Sequence, residues 1–193
     1  MKRTVTNVLI VGVGGQGTLL ASRIIGRAAQ LAGYDVTISE VHGMSQRGGS
    51  VVTYVRFGEE VHSPLIDKGS ADYILAFEEL EAYRALPYLK PQTGLLIVNR
   101  QQMMPMPVLT GKADYPADLI AKMEKLTDLC AVDGLKIALA CGNAKLVNTV
   151  LLGVFSARAP IPEEVWEQAL TECVPARFLD MNRTAFQKGR AIK

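Results

Sequence analysis

Two glycine-bearing segments hold most of the residues able to do chemistry. The first is "VGVGGQG" (Val11–Gly17), where Gly12, Gly14 and Gly17 stand at the spacing G-x-G-x-x-G and Gly15 is an extra. Ordering a glycine costs more conformational entropy than ordering any other residue, so such a cluster needs a reason. One reason is a tight turn whose bare backbone a ligand can approach, with a helix N-terminus aimed at an anion. Another is close packing of a strand on a helix. The spacing alone leaves three readings open: a dinucleotide, some other phosphate or anion, or packing without a ligand. Glu40, 23 residues after Gly17, stands close to where a dinucleotide fold places its ribose-binding acid. Gln16, bulky and polar, sits beside the cradle and suggests that the turn has a polar role of its own.

The second segment is "EVHGMSQRGGS" (Glu40–Ser50), which gathers His42, Ser45, Gln46 and Arg47 among Gly43, Gly48 and Gly49. Arg47 followed by two glycines offers a planar cationic fork beside open backbone N–H groups, which suits phosphate or carboxylate. The plainer alternative is a rigid turn that contacts a partner chain. His42 can titrate, but a lone histidine without an acid and a nucleophile reads as a hydrogen-bonded loop residue. The chain has no G-x-S-x-G elbow, no H-E-x-x-H, no Cys–His pairing and no P-loop lysine. Glu78, Glu79 and Glu81 cluster at a helix start, where the macrodipole accounts for them. No catalytic residue and no metal ligand is assigned to this chain.

The pattern around these segments predicts the elements that position them. Val5–Val11 is aliphatic without polar alternation, as in a strand covered on both faces. Thr18–Ala32 carries Leu19, Leu20, Ile24, Ala28 and Leu31 at helical spacing and stops at Gly33. Asp35–Glu40 is a second strand, so Val5–Glu40 reads as a βαβ crossover. Both glycine segments then lie at the carboxyl ends of their strands, where open α/β sheets collect ligands, and they can share one crevice. Val41–Ser50 is expected to be a loop, Val51–Phe57 a strand, and "VHSP" (Val61–Pro64) a short hairpin arm carrying the second histidine, His62. Tyr73–Phe77, Leu95–Val98 and Leu129–Val132 read as strands. Glu79–Leu89, Ala117–Lys125, Lys145–Ser156 and Pro162–Glu172 read as helices, and Arg183–Ile192 as a last helix or tail. "MMPMPVL" (Met103–Leu109) is either core under a loop or an adaptable subunit contact. The sum is a single α/β domain over residues 1–193, three-layered, with a mixed sheet because of the hairpin.

Composition agrees with this and excludes other classes. The chain has 193 residues, of which 49% are hydrophobic and 21% charged, enough for one buried core and unlike a disordered segment. A net charge of +2 without a basic run gives no nucleic-acid surface. Cys130, Cys141 and Cys173 are odd in number and unpaired in spacing, which argues against disulfides, zinc or an iron–sulfur set and for reduced thiols in the cytoplasm. The N-terminal apolar run breaks into glycine and reads as a strand rather than a signal peptide, and no stretch approaches the roughly 20 residues of a membrane span.

"VLIVGVGGQGTLLASRIIGRAA", "EVHGMSQRGGSVVTYVRFGEEVHSPLI", "ADYILAFEELEAYRALPYL" and "NTVLLG" together resemble the gamma-type domain of 2-oxoacid:ferredoxin oxidoreductases over nearly the whole chain. "GMSQRGG" favours the indolepyruvate branch over the pyruvate and 2-oxoglutarate branches. The resemblance implies a Rossmann-like α/β/α domain with a mixed, mainly parallel sheet, of the pyruvate-ferredoxin oxidoreductase domain III type. It implies a small subunit, inactive alone, joined to a large (alpha) subunit that carries thiamine diphosphate and iron–sulfur clusters. The complex would oxidatively decarboxylate an aryl 2-oxoacid to an acyl-CoA and reduce ferredoxin. Coenzyme A is the natural ligand for the glycine segments, docking of the large subunit their competing role, and a homodimer in isolation is compatible. The alternative is a free-standing nucleotide-binding enzyme or sensor of the NAD type.

Overall fold

A computed structural model describes residues 4–42 and 49–192. Among these, β1 (Thr6–Val13) leads through a glycine turn into α1 (Thr18–Leu31), β2 (Asp35–His42) and β3 (Ser50–Gly58). There follow β4 (Tyr73–Ala76), α2 (Glu79–Ala85), β5 (Leu95–Asn99), the single-turn α3 (Met106–Leu109) and α4 (Leu119–Glu124). β6 (Asp128–Val132), α5 (Gly134–Ala140), α6 (Val147–Ser156), α7 (Glu163–Cys173) and α8 (Ala176–Arg190) complete the order. The six strands form one sheet in the order β2-β3-β1-β4-β5-β6.

The sheet is mixed, as expected, but for a different reason. β3 runs antiparallel between β1 and β2, with Gly12 and His42 both opposite Val51, while β1, β4, β5 and β6 are parallel. The predicted hairpin arm Val61–Pro64 is not a strand. That segment crosses the sheet instead: Arg56 Nη1 donates to the carbonyls of Ser63 (2.6 Å) and Leu65 (3.1 Å), and Val61 N–H donates to Asp35 at 2.8 Å. β1 and β2 therefore run the same way without being neighbours.

Alternating burial on the strands builds two cores. Val8, Ile10, Val55, Leu75 and Ile97 face α1, α6, α7 and α8, where Trp166, Phe155 and Phe186 are fully buried. Leu9, Val11, Ile74, Leu96 and Val98 face α2 and α4. That gives the three layers, and β1 is apolar on both sides because both sides are covered. α6 and α8 approach to backbone contact: a Cβ on Gly153 would stand 2.1 Å from the Phe186 carbonyl oxygen. Other boundaries shift for local reasons. α2 stops at Ala85 and the chain continues as a 3-10 turn through Pro87. The last helix begins at Ala176, just after Pro175, rather than at Arg183. α5 was not legible as an element; Asp133 starts it by accepting the Lys136 N–H at 3.1 Å.

Candidate functional site

The two glycine segments meet at one rim of the sheet. The Gly14 N–H donates to the Gly49 carbonyl at 2.9 Å, tying the turn after β1 to the residue that precedes β3. Gly49 is the described end of the second segment. His42 closes β2 opposite Val51, while Gly43, Ser45, Gln46, Arg47 and Gly48 lie outside the described residues.

The turn needs glycine at particular places. Gly15 and Gly17 have φ of +104° and +87°, the left-handed region that an L side chain disfavours. A Cβ on Gly17 would also stand 2.6 Å from Asn148 Nδ2, and one on Gly12 would stand 2.8 Å from Gln16 Oε1. At Gly12 and Gly17 close packing is therefore one of glycine's uses. At Gly15 nothing lies within 4 Å of the missing Cβ, so backbone conformation and open space are what remain.

Gln16 folds back onto the strand ends. Its Oε1 accepts the Val13 N–H at 2.7 Å, and its Nε2 donates to the Phe77 carbonyl at 3.1 Å and to Gln101 Oε1 at 3.3 Å. The fully buried Asn99 continues this network, donating to Phe77 O (3.2 Å) and Gln101 Oε1 (3.0 Å) and accepting the Gly134 N–H (3.0 Å). β1 leads to α1 on one face and β4 to α2 on the other, so this is the point where the connections diverge and open sheets form a crevice. The amides of Gln16, Asn99 and Gln101 fill that point, and the open space lies to either side of it.

On one side is a cavity of about 760 Å³ with mostly apolar walls. Gly14, Gly15 and Gly17 form its base, and Leu135, Asn148 and Phe178 are among its walls. Gln101, Asn143, Lys145, Asn148 and Asn182 supply its polar points. Size, apolar lining and a few convergent polar groups are the attributes of a small-molecule site. On the other side is a hollow of about 340 Å³ between the same glycines, Thr18, Leu19, Glu40 and Val51. Glu40 thus lines the same hollow as the glycine turn, although β3 separates its strand from β1. α1 starts at Gly17 without a side-chain cap, so the first turn presents backbone N–H groups and the positive end of the helix dipole beside both spaces.

The supporting shell is polar and buried. Asn148 Oδ1 accepts the Thr149 N–H (2.7 Å) and hydroxyl (3.2 Å), and the Thr149 hydroxyl also reaches Asn182 Oδ1 at 2.6 Å. The three glutamates do more than complement the α2 dipole. Glu78 caps the helix by accepting the Glu81 N–H (2.8 Å), and also accepts from Met103 N–H (3.0 Å) and the Tyr115 hydroxyl (2.5 Å). Glu79 accepts from Gln102 at 3.0 Å, and Glu81 accepts from Ser50 at 2.5 Å and Arg84 at 2.7 Å. These bonds fix the 101–103 wall of the larger cavity and the start of β3. Burial, then the Glu78 carboxylate, pushes the Tyr115 phenol well up, so it remains a donor. Burial likewise raises the Cys130 and Cys173 thiols, and all three cysteines are free.

Sequence reasoning did not find Gln101, Asn143, Lys145, Asn148 and Asn182. The only signal they carry is a polar residue placed among apolar ones, as with Asn148 at the head of a helix that is buried on every side.

A doubly covered sheet with a glycine turn and an adjoining cavity at its carboxyl rim defines an α/β domain of Rossmann-like build. The chain matches the model of the pyruvate ferredoxin/flavodoxin oxidoreductase family over residues 7–192, and it belongs to that family. It is 42% identical to "Indolepyruvate oxidoreductase subunit IorB" of Thermococcus kodakarensis, over 95% of this chain and 93% of that one. The keto/oxoacid ferredoxin oxidoreductase gamma subunit of Geobacter sulfurreducens has a similar structure, with a TM-score of 0.71, 25% identity and 95% of both chains covered. The 2-oxoglutarate:ferredoxin oxidoreductase of Magnetococcus marinus shares the fold at 21% identity and a TM-score of 0.74, over all of this chain and 31% of that one.

Proposed function

We propose that the chain is the small subunit of an aryl 2-oxoacid ferredoxin oxidoreductase of the indolepyruvate type. Its large partner subunit carries thiamine diphosphate and iron–sulfur clusters. The observation that carries this reading is the end-to-end match to a relative of that name at 42% identity. In the reaction a 2-oxoacid and coenzyme A give an acyl-CoA and carbon dioxide, and the electron pair released passes to ferredoxin. Thiamine diphosphate, when bound to the partner, supplies the carbanion stabilisation that decarboxylation requires.

The part of this chain is to hold the anionic, coenzyme A-like reactant at the glycine rim. The α1 N-terminus and the turn Gly14–Gly17 face its phosphates, with Arg47 as the cation of the second segment. The larger cavity, apolar with scattered amides, suits a long arm that is itself apolar with scattered amides. The neighbour from Magnetococcus marinus, alike in fold, is a protein solved with coenzyme A and succinyl-CoA bound.

The test is reconstitution. The chain is co-expressed and purified with a large subunit of the same oxidoreductase type and assayed for ferredoxin reduction by aryl pyruvates with and without coenzyme A. Activity that needs both subunits supports the reading, and oxidation of a substrate by the lone chain with a nicotinamide refutes it. Arg47→Ala should raise the KM for coenzyme A by about 10- to 100-fold, the worth of one charge-assisted hydrogen bond. If neither that KM nor assembly changes, the second segment has neither role.

A further inference from the structure

The larger cavity opens among apolar side chains that the fold leaves uncovered. α5 presents Leu135 and Leu139 one turn apart, and Leu139 is 58% exposed. Met103 lines the same cavity, and the segment running from it exposes Met104, Met106 (68%) and Leu109 (66%). Phe178 borders the cavity from α8, with the Arg177 guanidinium 4.6 Å over its ring. The alternative that Met103–Leu109 is core under a loop is therefore set aside. A single exposed leucine requires no explanation, but Leu135 and Phe178 exposed on the wall of one cavity, with Leu139 a turn further along α5 and Met104, Met106 and Leu109 exposed on the segment that leaves it, do. The prolines at 105 and 107 stiffen the segment, while methionine adapts its shape to what covers it.

We propose that this rim is the surface on which the chain docks its large partner subunit, closing the cavity mouth and turning the bound reactant towards the partner's reaction centre. The inference rests on the small-subunit reading above. The charges select the occupant. Lys136 follows Leu135 on α5, Lys145 lines the cavity and Arg177 stacks on Phe178, and among the described residues none of the three makes an ion pair. An apolar centre flanked by free cations fits a partner surface with apolar side chains at its middle and carboxylates around them. A second copy of this chain fits poorly, because a two-fold interface would set the same cations against one another.

The test uses the co-purified complex and measures association of the two subunits. Leu139→Glu and Met106→Glu alter exposed side chains, so each variant should keep its unfolding temperature. Each should bind the large subunit about tenfold or more weakly, because a carboxylate is placed in an apolar contact. Lys136→Glu with Lys145→Glu should slow association and reduce its salt dependence. Leu65→Glu, near the opposite end of β3, serves as the control and should bind normally. If the wild-type chain does not bind the large subunit at all, the small-subunit reading fails. If it binds and the rim variants bind equally well, the docking surface is elsewhere and this inference fails. A lone chain that is dimeric, and that the rim variants make monomeric while leaving the two-subunit complex intact, overturns it in favour of self-association.

Discussion

Gly17→Ala tests whether the glycine turn is built against α6. The new methyl meets two separate costs. An L residue at φ +87° loses about 1–2 kcal/mol relative to glycine. Its Cβ would also lie 2.6 Å from Asn148 Nδ2, so the buried amide must move away from the Thr149 N–H and hydroxyl that it accepts at 2.7 and 3.2 Å. Each of those bonds is worth about 0.5–1.5 kcal/mol net. The sum is about 2–5 kcal/mol, which for a chain of this length lowers the unfolding midpoint by about 10 °C. Gly15→Ala is the matched comparison, with φ +104° but nothing within 4 Å of the new Cβ. It should cost the backbone term alone, about 1–2 kcal/mol and about 5 °C. Thermal and urea unfolding followed by circular dichroism measure both. Combining each change with Asn148→Ala completes a double-mutant cycle, in which Gly17→Ala should couple to Asn148 by about 1–3 kcal/mol and Gly15→Ala should not. Equal costs at the two glycines, or a cycle without coupling at Gly17, would refute the packing argument.

Three further outcomes follow from the same contacts. Gln16→Leu leaves the Val13 N–H without the partner it holds at 2.7 Å, while the Phe77 carbonyl keeps the Asn99 amide at 3.2 Å, and should cost about 1–3 kcal/mol in urea unfolding. Gly153→Ala forces a Cβ to within 2.1 Å of the Phe186 carbonyl oxygen, so α6 and α8 must separate; a loss of at least about 3 kcal/mol, or failure to fold, is expected. The Arg27 hydrogen bond, with help from Gln168, holds the exposed Glu172 carboxyl below the usual glutamate range. A lowered folded value means that the pair's contribution is complete at neutral pH and is lost as pH falls through that value. Arg27→Ala should therefore raise the Glu172 midpoint in an NMR titration and flatten the acid limb of the stability curve.

Much of the layer architecture was legible because apolar periodicity records burial directly. β1 reads as a doubly covered strand and α1 as a helix with one apolar stripe, and both stand within two residues of their expected ends. The place of β3 was not legible. Its alternating pattern is that of any half-buried strand, and only the pairing of Gly12 and His42 on either side of Val51 shows that it separates β1 from β2. α5 escaped because "GLKIALA" is short, starts with glycine and sits beside a buried strand. The site divides in the same way. Glycines announce themselves by type, so the turn and its meeting with the second segment were foreseeable. Gln101, Asn148 and Asn182 are ordinary amides whose importance comes from neighbours distant in sequence, Asn182 lying 33 residues from the Thr149 that it contacts.

Hydrogen–deuterium exchange on the two-subunit complex, with and without coenzyme A, tests most directly that a glycine rim and its adjoining cavity hold the anionic reactant. The account predicts slower exchange confined to the peptides spanning Gly14–Leu20 and Asn143–Asn148 and to the segment between His42 and Ser50. Protection that falls only on the large subunit, with those peptides of the small subunit unchanged, would contradict it.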